Sequence, residues 1–370
     1  MYQVRAFSML VVYGFAAAVS MTGSAQDRPV RKMDESVRNI FTSLRARQES
    51  IPSVRYTLEG KQLTPKDYIE SGVPADDRIS TFSVTLSFEF EKNCLRKEYS
   101  REAFNLDTKE FYRAREMYLF NGTQLQHYRP RDENADQFQG EFKYNTNLTL
   151  LKDTDAMFVL EPGDYAVLMA EGILQRPQLG WNSTRTIRVP LDPTLYRVQG
   201  SGQLDGRECV VLRSANTAAG SRRYHDIWVD TEQGSSIVRY SLYQGDSELS
   251  RIRMWYEQLG SQWNLRRYTA GRPVDDDFVV MFDMTVVSRE VAPKFGEEEF
   301  QLTPTVGTVV KDVITGDRVK VTEDGERDVR ELYAEDQRKS GRFRLLIWAA
   351  GTIAFVSIAI IVQHYRRKVG

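Results

Sequence analysis

The spacing of hydrophobic residues changes from a helical to an extended pattern in the first third of the chain. Apolar residues recur at helical spacing over 33–49, which predicts an amphipathic helix whose stripe is Val37, Ile40, Phe41 and Leu44. From residue 54 the period becomes two, most regularly over 81–91, where Phe, Val and Leu alternate with Thr, Ser and Glu. This alternation is typical of a half-buried antiparallel strand. The segment 54–128 is therefore predicted to be a meander of about five strands.

The second half of the chain repeats this strand pattern after an interruption. Residues 130–150 are polar and rich in turn formers, and residues 160–174 predict a short helix or lid. Strand-like runs separated by turn sequences then extend from 195 to 290, and 300–321 predicts a terminal hairpin. Strands at this spacing predict an α+β fold, with helices packed on the concave face of a large curved antiparallel sheet, or incomplete β-barrel.

Both ends of the chain are apolar and predict an exported protein that is held in a membrane. Residues 1–25 predict a signal peptide, with cleavage between Ala25 and Gln26; an uncleaved N-terminal anchor is the alternative. Residues 345–362 carry no charge and, as a helix, would span about 27 Å, which matches the hydrocarbon core of a bilayer.

These segments predict the domain organisation and the location. An extracytoplasmic domain over 33–322 is followed by a charged stalk at 323–344, a single transmembrane helix at 345–362 and a cytoplasmic tail at 363–370. The export signal sets this orientation, because basic residues flank the span on both sides. We therefore expect a single-pass protein of the cell membrane whose domain faces the periplasm.

Composition and charge narrow the class of partner. The chain has 370 residues, of which 41% are hydrophobic and 27% charged, as in a globular protein. The net charge is −1, and removing the six basic residues of the two ends leaves about −7 on 26–341. A mildly acidic domain argues against nucleic acid as a partner.

No motif in the sequence indicates catalysis. The patterns GxSxG, HExxH, GxxxxGK[ST] and paired CxxC are all absent, so we predict no catalytic residue, no metal site and no cofactor. His127 and His225 lie in strand-like segments and are interpreted as strand-surface or core residues. A hydrolase with an unfamiliar site is the least favoured hypothesis. Sequence alone identifies no ligand-binding residue.

The two cysteines lie far apart in sequence, and both are in strand-like segments. An exported protein experiences an oxidising compartment, which permits a disulfide between Cys94 and Cys209. The alternative is that both are buried free thiols.

Several short segments carry a resemblance to a known family. The run DGRECVVL at 205–212, DIWVD at 226–230, and Trp255-Tyr256-Glu257 followed by Trp263 resemble the LolA/LolB-like lipoprotein-carrier superfamily, including the related domain of the sigma-E regulator RseB. The opening, SVRYT at 53–57 after a helix, is also similar, and the resemblance covers about 35–300. Soluble carriers lack a C-terminal membrane span, so the chain looks closer to membrane-tethered relatives of planctomycete-type bacteria.

This resemblance implies a binding function. The leading hypothesis is a non-enzymatic, membrane-anchored binding protein, with a lipid or lipoprotein acyl chain held between the concave face and the helices at 33–49 and 160–174. The alternative is a protein-interaction or envelope-sensing module without a small-molecule ligand. Because the tail at 363–370 is too short for a signalling domain, such a module would act through a membrane-protein partner.

Overall fold

The structure, a computed structural model, describes most of the chain between residues 34 and 339. The described ranges are 34–64, 78–105, 110–129, 148–151, 162–172, 193–214, 223–274 and 277–339. The predicted signal peptide, its cleavage site and the predicted span at 345–362 lie outside them. Among the described residues, no helix is both long enough and apolar enough to cross a membrane. The chain divides into two compact units: Met1–His127 with Leu151–Leu302, and Tyr128–Leu150 with Thr303–Gly370.

Most of the described residues of the first unit belong to one sheet. Its strands are β1 (Ser53–Thr64), β2 (Arg78–Glu89), β3 (Cys94–Asn105), β4 (Glu110–Phe120), β5 (Leu125–Tyr128), then, after β6 (Leu148–Leu151) of the second unit, β7 (Tyr196–Leu204), β8 (Arg207–Ser214), β9 (Arg223–Asp230), β10 (Ser236–Gln244), β11 (Ser247–Leu259), β12 (Gln262–Val274) and β13 (Asp277–Val291). They are ordered β5-β4-β3-β2-β1-β13-β12-β11-β10-β9-β8-β7. From β4 to β7 every neighbouring pair is antiparallel. The predicted five-strand meander and large antiparallel sheet are confirmed.

Strand β1 joins the two halves of this sheet. It pairs with β2, its neighbour in sequence, and with β13, more than 200 residues later. Alternate residues of β1, Val54, Tyr56 and Leu58, are fully buried on one face. We call this face, on which the two described helices of the unit pack, the inner face. Its apolar side chains form the core of the unit.

Helix α1 (Glu35–Glu49) agrees with the predicted helix at 33–49. Asp34 caps its N-terminus, where the side chain accepts a hydrogen bond from the Ser36 amide at 2.8 Å. The predicted apolar stripe is the buried face of the helix. Helix α2 (Pro162–Ala170) falls within the predicted helix at 160–174. Short 3₁₀ turns occur at Pro193–Leu195 and Glu297–Glu299.

The second unit contains a small sheet and a helix. Its strands β14 (Val309–Asp312), β15 (Arg318–Thr322) and β16 (Gly325–Asp328) pair antiparallel, which confirms the predicted terminal hairpin. Helix α3 is described over 329–339. Strand β16 and this helix lie in the part of the chain predicted as a stalk.

Strand β6 corrects two sequence predictions. It lies in a segment whose composition predicts turns, and it pairs parallel with β14 although the strand pattern predicts an antiparallel sheet throughout. Leu148 is fully buried opposite Val310, which stabilises a strand of four residues. Because the partner strand is about 160 residues away, the local pattern could not reveal this pairing.

Candidate functional site

A row of aromatic rings crosses the inner face of the first unit. Successive ring centroids are 6.1 Å apart from Phe282 to Phe82, 5.9 Å from Phe82 to Tyr99, 6.1 Å from Tyr99 to Tyr118 and 4.2 Å from Tyr118 to His127. Apart from the last, closer contact, these distances are typical of aromatic pairs. The first three rings are buried, whereas Tyr118 and His127 are partly exposed. We call these five rings the aromatic row.

A glycine allows the row to cross β1. Gly60 lies opposite Phe82 on β2 and Met284 on β13. A Cβ atom at position 60 would lie 2.0 Å from the Asp283 carbonyl oxygen, so no larger residue fits without a backbone shift. The missing side chain leaves room for Phe82 and Phe282 to meet above the strand between them.

The exposed end of the row carries a polar cluster around a buried carboxylate. Glu116 Oε2 lies 3.0 Å from His127 Nε2 and accepts a long hydrogen bond, 3.5 Å, from the Tyr118 hydroxyl. Burial, together with the neighbouring Tyr118 and Glu116 and a hydrogen bond to Glu116, raises the pKa of Tyr99 far above its usual value. Tyr99 therefore stays protonated and is able to donate to Glu116. This end of the row combines apolar ring faces with polar groups.

Helix α2 lies on the inner face and is fixed there by an ion pair at each end. Near its N-terminus, Asp164 Oδ2 lies 2.7 Å from Lys97 Nζ of β3, and the two side chains are only 4% and 1% exposed. Glu171, directly after α2, binds the Arg289 guanidinium of β13 at 2.6 and 2.7 Å. Such a two-pronged contact sets the orientation of the end of the helix as well as its position.

The polar side chains around Glu171 make further hydrogen bonds with one another. The Tyr56 hydroxyl donates to Glu171 Oε1, and Arg289 Nη1 donates to Asn264 Oδ1 at 2.6 Å. Burial and the charge of Glu171 raise the pKa of Tyr56 well above its usual value. Burial acts to lower the pKa of Arg289, but its hydrogen bond and charge interactions with Glu171 and Tyr56 outweigh that effect and raise it. The cluster is therefore a neutral phenol bound to a fixed ion pair.

The two helices pack mainly on strands of the inner face that carry no ring of the aromatic row. Helix α2 packs mainly against β10, β11 and β12, and α1 packs against β7 and the turn at Pro193–Leu195. The helices also contact each other, since Arg47 donates to the Ala170 carbonyl oxygen at 3.0 Å. The row lies on β13 and β2–β5, and the N-terminal end of α2 reaches it, because Lys97, the partner of Asp164, is opposite Tyr118 and its Nζ lies 5.4 Å from the centroid of the Tyr99 ring.

The cysteines are not bridged. Cys94 at the start of β3 and Cys209 on β8 are both free and buried, so of the two alternatives the structure has free thiols and not the disulfide. Seven strands separate β3 from β8 in the sheet order. A disulfide needs Cα atoms within about 7 Å, which strands so far apart in a sheet do not provide. Burial raises the pKa of both thiols, that of Cys209 to about 11.

The histidines differ from each other in role. His225 on β9 is a partly buried core residue, as predicted; its Nδ1 contacts the Tyr240 hydroxyl, and burial lowers its pKa to about 4. His127, predicted to be an ordinary strand residue, belongs to the aromatic row. Among the described residues, no cluster of three or more His, Cys, Asp or Glu side chains could hold a metal ion.

Sequence reasoning missed the charged residues of the site, although two of them carried a signal. Lys97 lies on the same face of β3 as the buried Leu95 and Tyr99. Glu116 lies on the same face of β4 as Tyr118 and Phe120. A charged residue at an inward position of a strand indicates a buried partner. Glu171 and Arg289 gave no such signal, because their contact joins segments 118 residues apart.

Comparisons with known proteins gave matches only among solved structures. The sequence matches no protein-family model and no curated protein sequence. One similar structure, named as a domain of an outer membrane lipoprotein-sorting protein from Vibrio parahaemolyticus, shares 10% identity over 71% of this chain and 95% of that chain, with a TM-score of 0.39. A DUF1329 family protein from Desulfovibrio piger shares 10% identity over 72% and 97%, with a TM-score of 0.35. A third, a LolA superfamily protein from Nitrosomonas europaea, shares 9% identity over 72% of this chain and 97% of that chain, with a TM-score of 0.37.

Proposed function

We propose that this chain is a non-enzymatic binding protein for an apolar ligand, a lipid or the acyl chain of a lipoprotein. The aromatic row is the observation that carries the proposal. Its rings form a continuous strip over five strands, accessible at Tyr118 and His127, and an elongated apolar molecule suits such a strip.

The row also suggests how the ligand is oriented. Its rings are buried at Phe282 and Phe82 and partly exposed at Tyr118 and His127, so the ligand enters at the exposed end. The Glu116–His127 pair lies there and would contact a polar head group, while the acyl chain extends along the row. The buried Lys97–Asp164 ion pair lies beside the middle of the row, with Lys97 Nζ 5.4 Å from the centroid of the Tyr99 ring.

The location is part of the proposal. The segment 345–362 anchors the chain as a single span, with the binding domain on the periplasmic side and the tail in the cytoplasm. An anchored binder cannot shuttle by diffusion. It therefore holds its ligand at the membrane or passes it to a membrane-protein partner.

The experiment that tests the function combines identification of the ligand with titration. The full-length chain, purified in a mild detergent, is analysed by native mass spectrometry for co-purified lipid and titrated with a fluorescent fatty acid. Tyr118→Ala removes a partly exposed ring of the row and is expected to weaken fatty-acid binding by about tenfold, the effect of losing roughly 1.4 kcal/mol of ring contact.

Tyr243→Ala is the matched control. Tyr243 is also a partly buried tyrosine in a stacked ring pair, with Tyr224 at 5.0 Å, but it lies on the other face of the sheet. Its removal should leave binding unchanged. The proposal fails if the wild-type chain binds no lipid or fatty acid, or if both variants weaken binding equally.

A further inference from the structure

A groove of about 530 Å³ opens on the face of β2, β3 and β4 that is opposite the aromatic row. We call this the outer groove. Its lining includes Ser83, Thr85, Ser100, Arg113 and Arg115. These side chains are hydroxyls and guanidinium groups, so the groove differs in chemistry from the inner face.

Arg113 is held by three hydroxyl groups of the neighbouring strands. Its Nε donates to Ser100 Oγ at 2.6 Å, its Nη1 to Thr81 Oγ1 at 3.1 Å and its Nη2 to Ser83 Oγ at 3.2 Å. A hydroxyl that accepts a hydrogen bond still has its own hydrogen to donate. Within the described part of the chain these three hydroxyls make no other hydrogen bond. Their hydrogens are therefore available to a ligand.

Arg115 adds an unpaired positive charge. It is exposed and lies opposite Ser100 on β3, and it has no hydrogen bond or ion pair with any protein group of the described ranges. The acidic residue in the lining, Glu98, is bound by Arg96 at 2.9 Å, which offsets its charge. The lining of the outer groove thus has many hydrogen-bond donors and a net positive charge, because it contains two arginines and one glutamate.

We propose that the outer groove binds the phosphate group of a ligand. Guanidinium and hydroxyl donors suit a tetrahedral oxyanion, because each oxygen accepts two or more hydrogen bonds and the charge strengthens each of them. Arg115 contacts the phosphate directly, and Arg113 holds the hydroxyls that complete the site. The outer groove lies on the opposite face from the aromatic row, so this site is independent of the proposed apolar ligand.

Calorimetric titration of the full-length chain tests the site. The probes are inorganic phosphate, glycerol phosphate as a monoester, and glycerophosphoglycerol, which is a phospholipid head group without acyl chains. Arg115→Gln removes a charge without breaking a hydrogen bond or ion pair among the described residues and is expected to weaken binding by about tenfold, as for a charge-assisted contact. Arg113→Gln, which breaks the hydroxyl contacts, is expected to weaken it at least as much.

Arg266→Gln is the matched control. Arg266 is exposed on β12 and is likewise without a partner in the described ranges, so its loss changes the net charge equally without touching the outer groove. Binding of phosphate and the monoester alone would indicate a soluble phosphorylated ligand, and binding of the diester as well would indicate a lipid head group; both support the site. Absence of saturable binding to every probe, or equal weakening by Arg115→Gln and Arg266→Gln, overturns it.

Discussion

The buried charges of the inner face are stable only because each has a partner within hydrogen-bonding distance. Lys97 and Asp164 lie almost completely out of solvent, 2.7 Å apart, where an isolated charge costs several kcal/mol. The pair adds little net stability compared with apolar residues of the same shape, but it selects one position for the start of α2.

Removal of one member of this pair should be strongly destabilising. Lys97→Met leaves the Asp164 carboxylate buried without its cation, and we expect the free energy of unfolding to fall by about 3–5 kcal/mol. Urea denaturation followed by circular dichroism measures this change. The double variant Lys97→Met/Asp164→Leu should recover most of the loss, since both charges are then absent.

An exposed pair provides the control for this measurement. Arg267 and Asp283 also form an ion pair at 2.7 Å, but their side chains are 47% and 41% exposed. Arg267→Gln should therefore change the free energy of unfolding by less than about 1 kcal/mol. Similar losses for Lys97→Met and Arg267→Gln would show that burial of the pair has no energetic consequence.

His225 should make stability depend on pH. Burial lowers its pKa from 6.5 to about 4 in the folded protein, so between these values the unfolded chain binds more protons than the folded chain. The contribution of His225 to the free energy of unfolding is therefore complete above pH 6.5 and is lost as the pH falls towards 4. The loss is on the order of 3 kcal/mol at most.

This pH dependence of the free energy of unfolding is tested by comparing the wild-type protein with the His225→Gln variant. Urea midpoints at pH 5 and pH 7.5 should differ less in the variant, because glutamine does not titrate, while carboxylate effects are common to both proteins. An identical pH dependence in the two proteins would mean that His225 does not titrate differently on folding.

At the scale of elements, the C-terminal end of α2 packs closely against α1 because a glycine stands at the point of contact. Gly172 has a positive φ of 72°, and a Cβ atom there would lie 2.3 Å from the Leu44 carbonyl oxygen. Gly172→Ala should therefore combine backbone strain with a steric clash that α1 relieves only by shifting.

A second glycine separates these two effects. Gly245 has a similar φ of 61°, but a Cβ atom added there would have no other atom within 4 Å. We expect Gly172→Ala to lower the free energy of unfolding by about 1–3 kcal/mol more than Gly245→Ala does, as measured by denaturant titration. Equal losses would indicate that α1 and α2 are not packed closely at this point.

The elements of the fold were predictable from sequence where their signal is local. The apolar stripe of α1 and the alternation at 81–91 correspond to elements with nearly the predicted bounds. Strand β6 was missed because its parallel partner, β14, lies far along the chain and the local sequence LTLL gives no sign of that pairing. Register and pairing depend on partners that the local pattern does not contain.

The candidate site was less predictable than the fold. Strand periodicity accounts for the individual rings, but the row itself depends on Gly60, whose role appears only when β2 and β13 flank it. The Glu116–His127 contact joins β4 to β5 across eleven residues, and strand parity could have suggested it. The contact between Glu171 and Arg289 is a product of the tertiary fold alone.

At the scale of the whole molecule, the predicted anchor determines what kind of binding function is useful. A freely diffusing carrier transfers ligand between two membranes, whereas a tethered domain acts within the reach of its attachment. The orientation of the segment 345–362 therefore decides whether the inner face meets lipid and partners on the periplasmic side.

Reporter fusions in a bacterial host measure this orientation. Alkaline phosphatase is active only after export, because its disulfides form in an oxidising compartment, and green fluorescent protein is fluorescent when it folds in the cytoplasm. We expect phosphatase fused after residue 339 to be active and phosphatase fused after Gly370 to be inactive, with green fluorescence showing the opposite pattern. The pair of sites is its own control, since the two fusions differ only by the predicted span and its flanks. Phosphatase activity at both sites would mean that 345–362 does not cross the membrane. Inactivity at both sites would contradict export of the domain. The proposed lipid-binding function would then be on the cytoplasmic side.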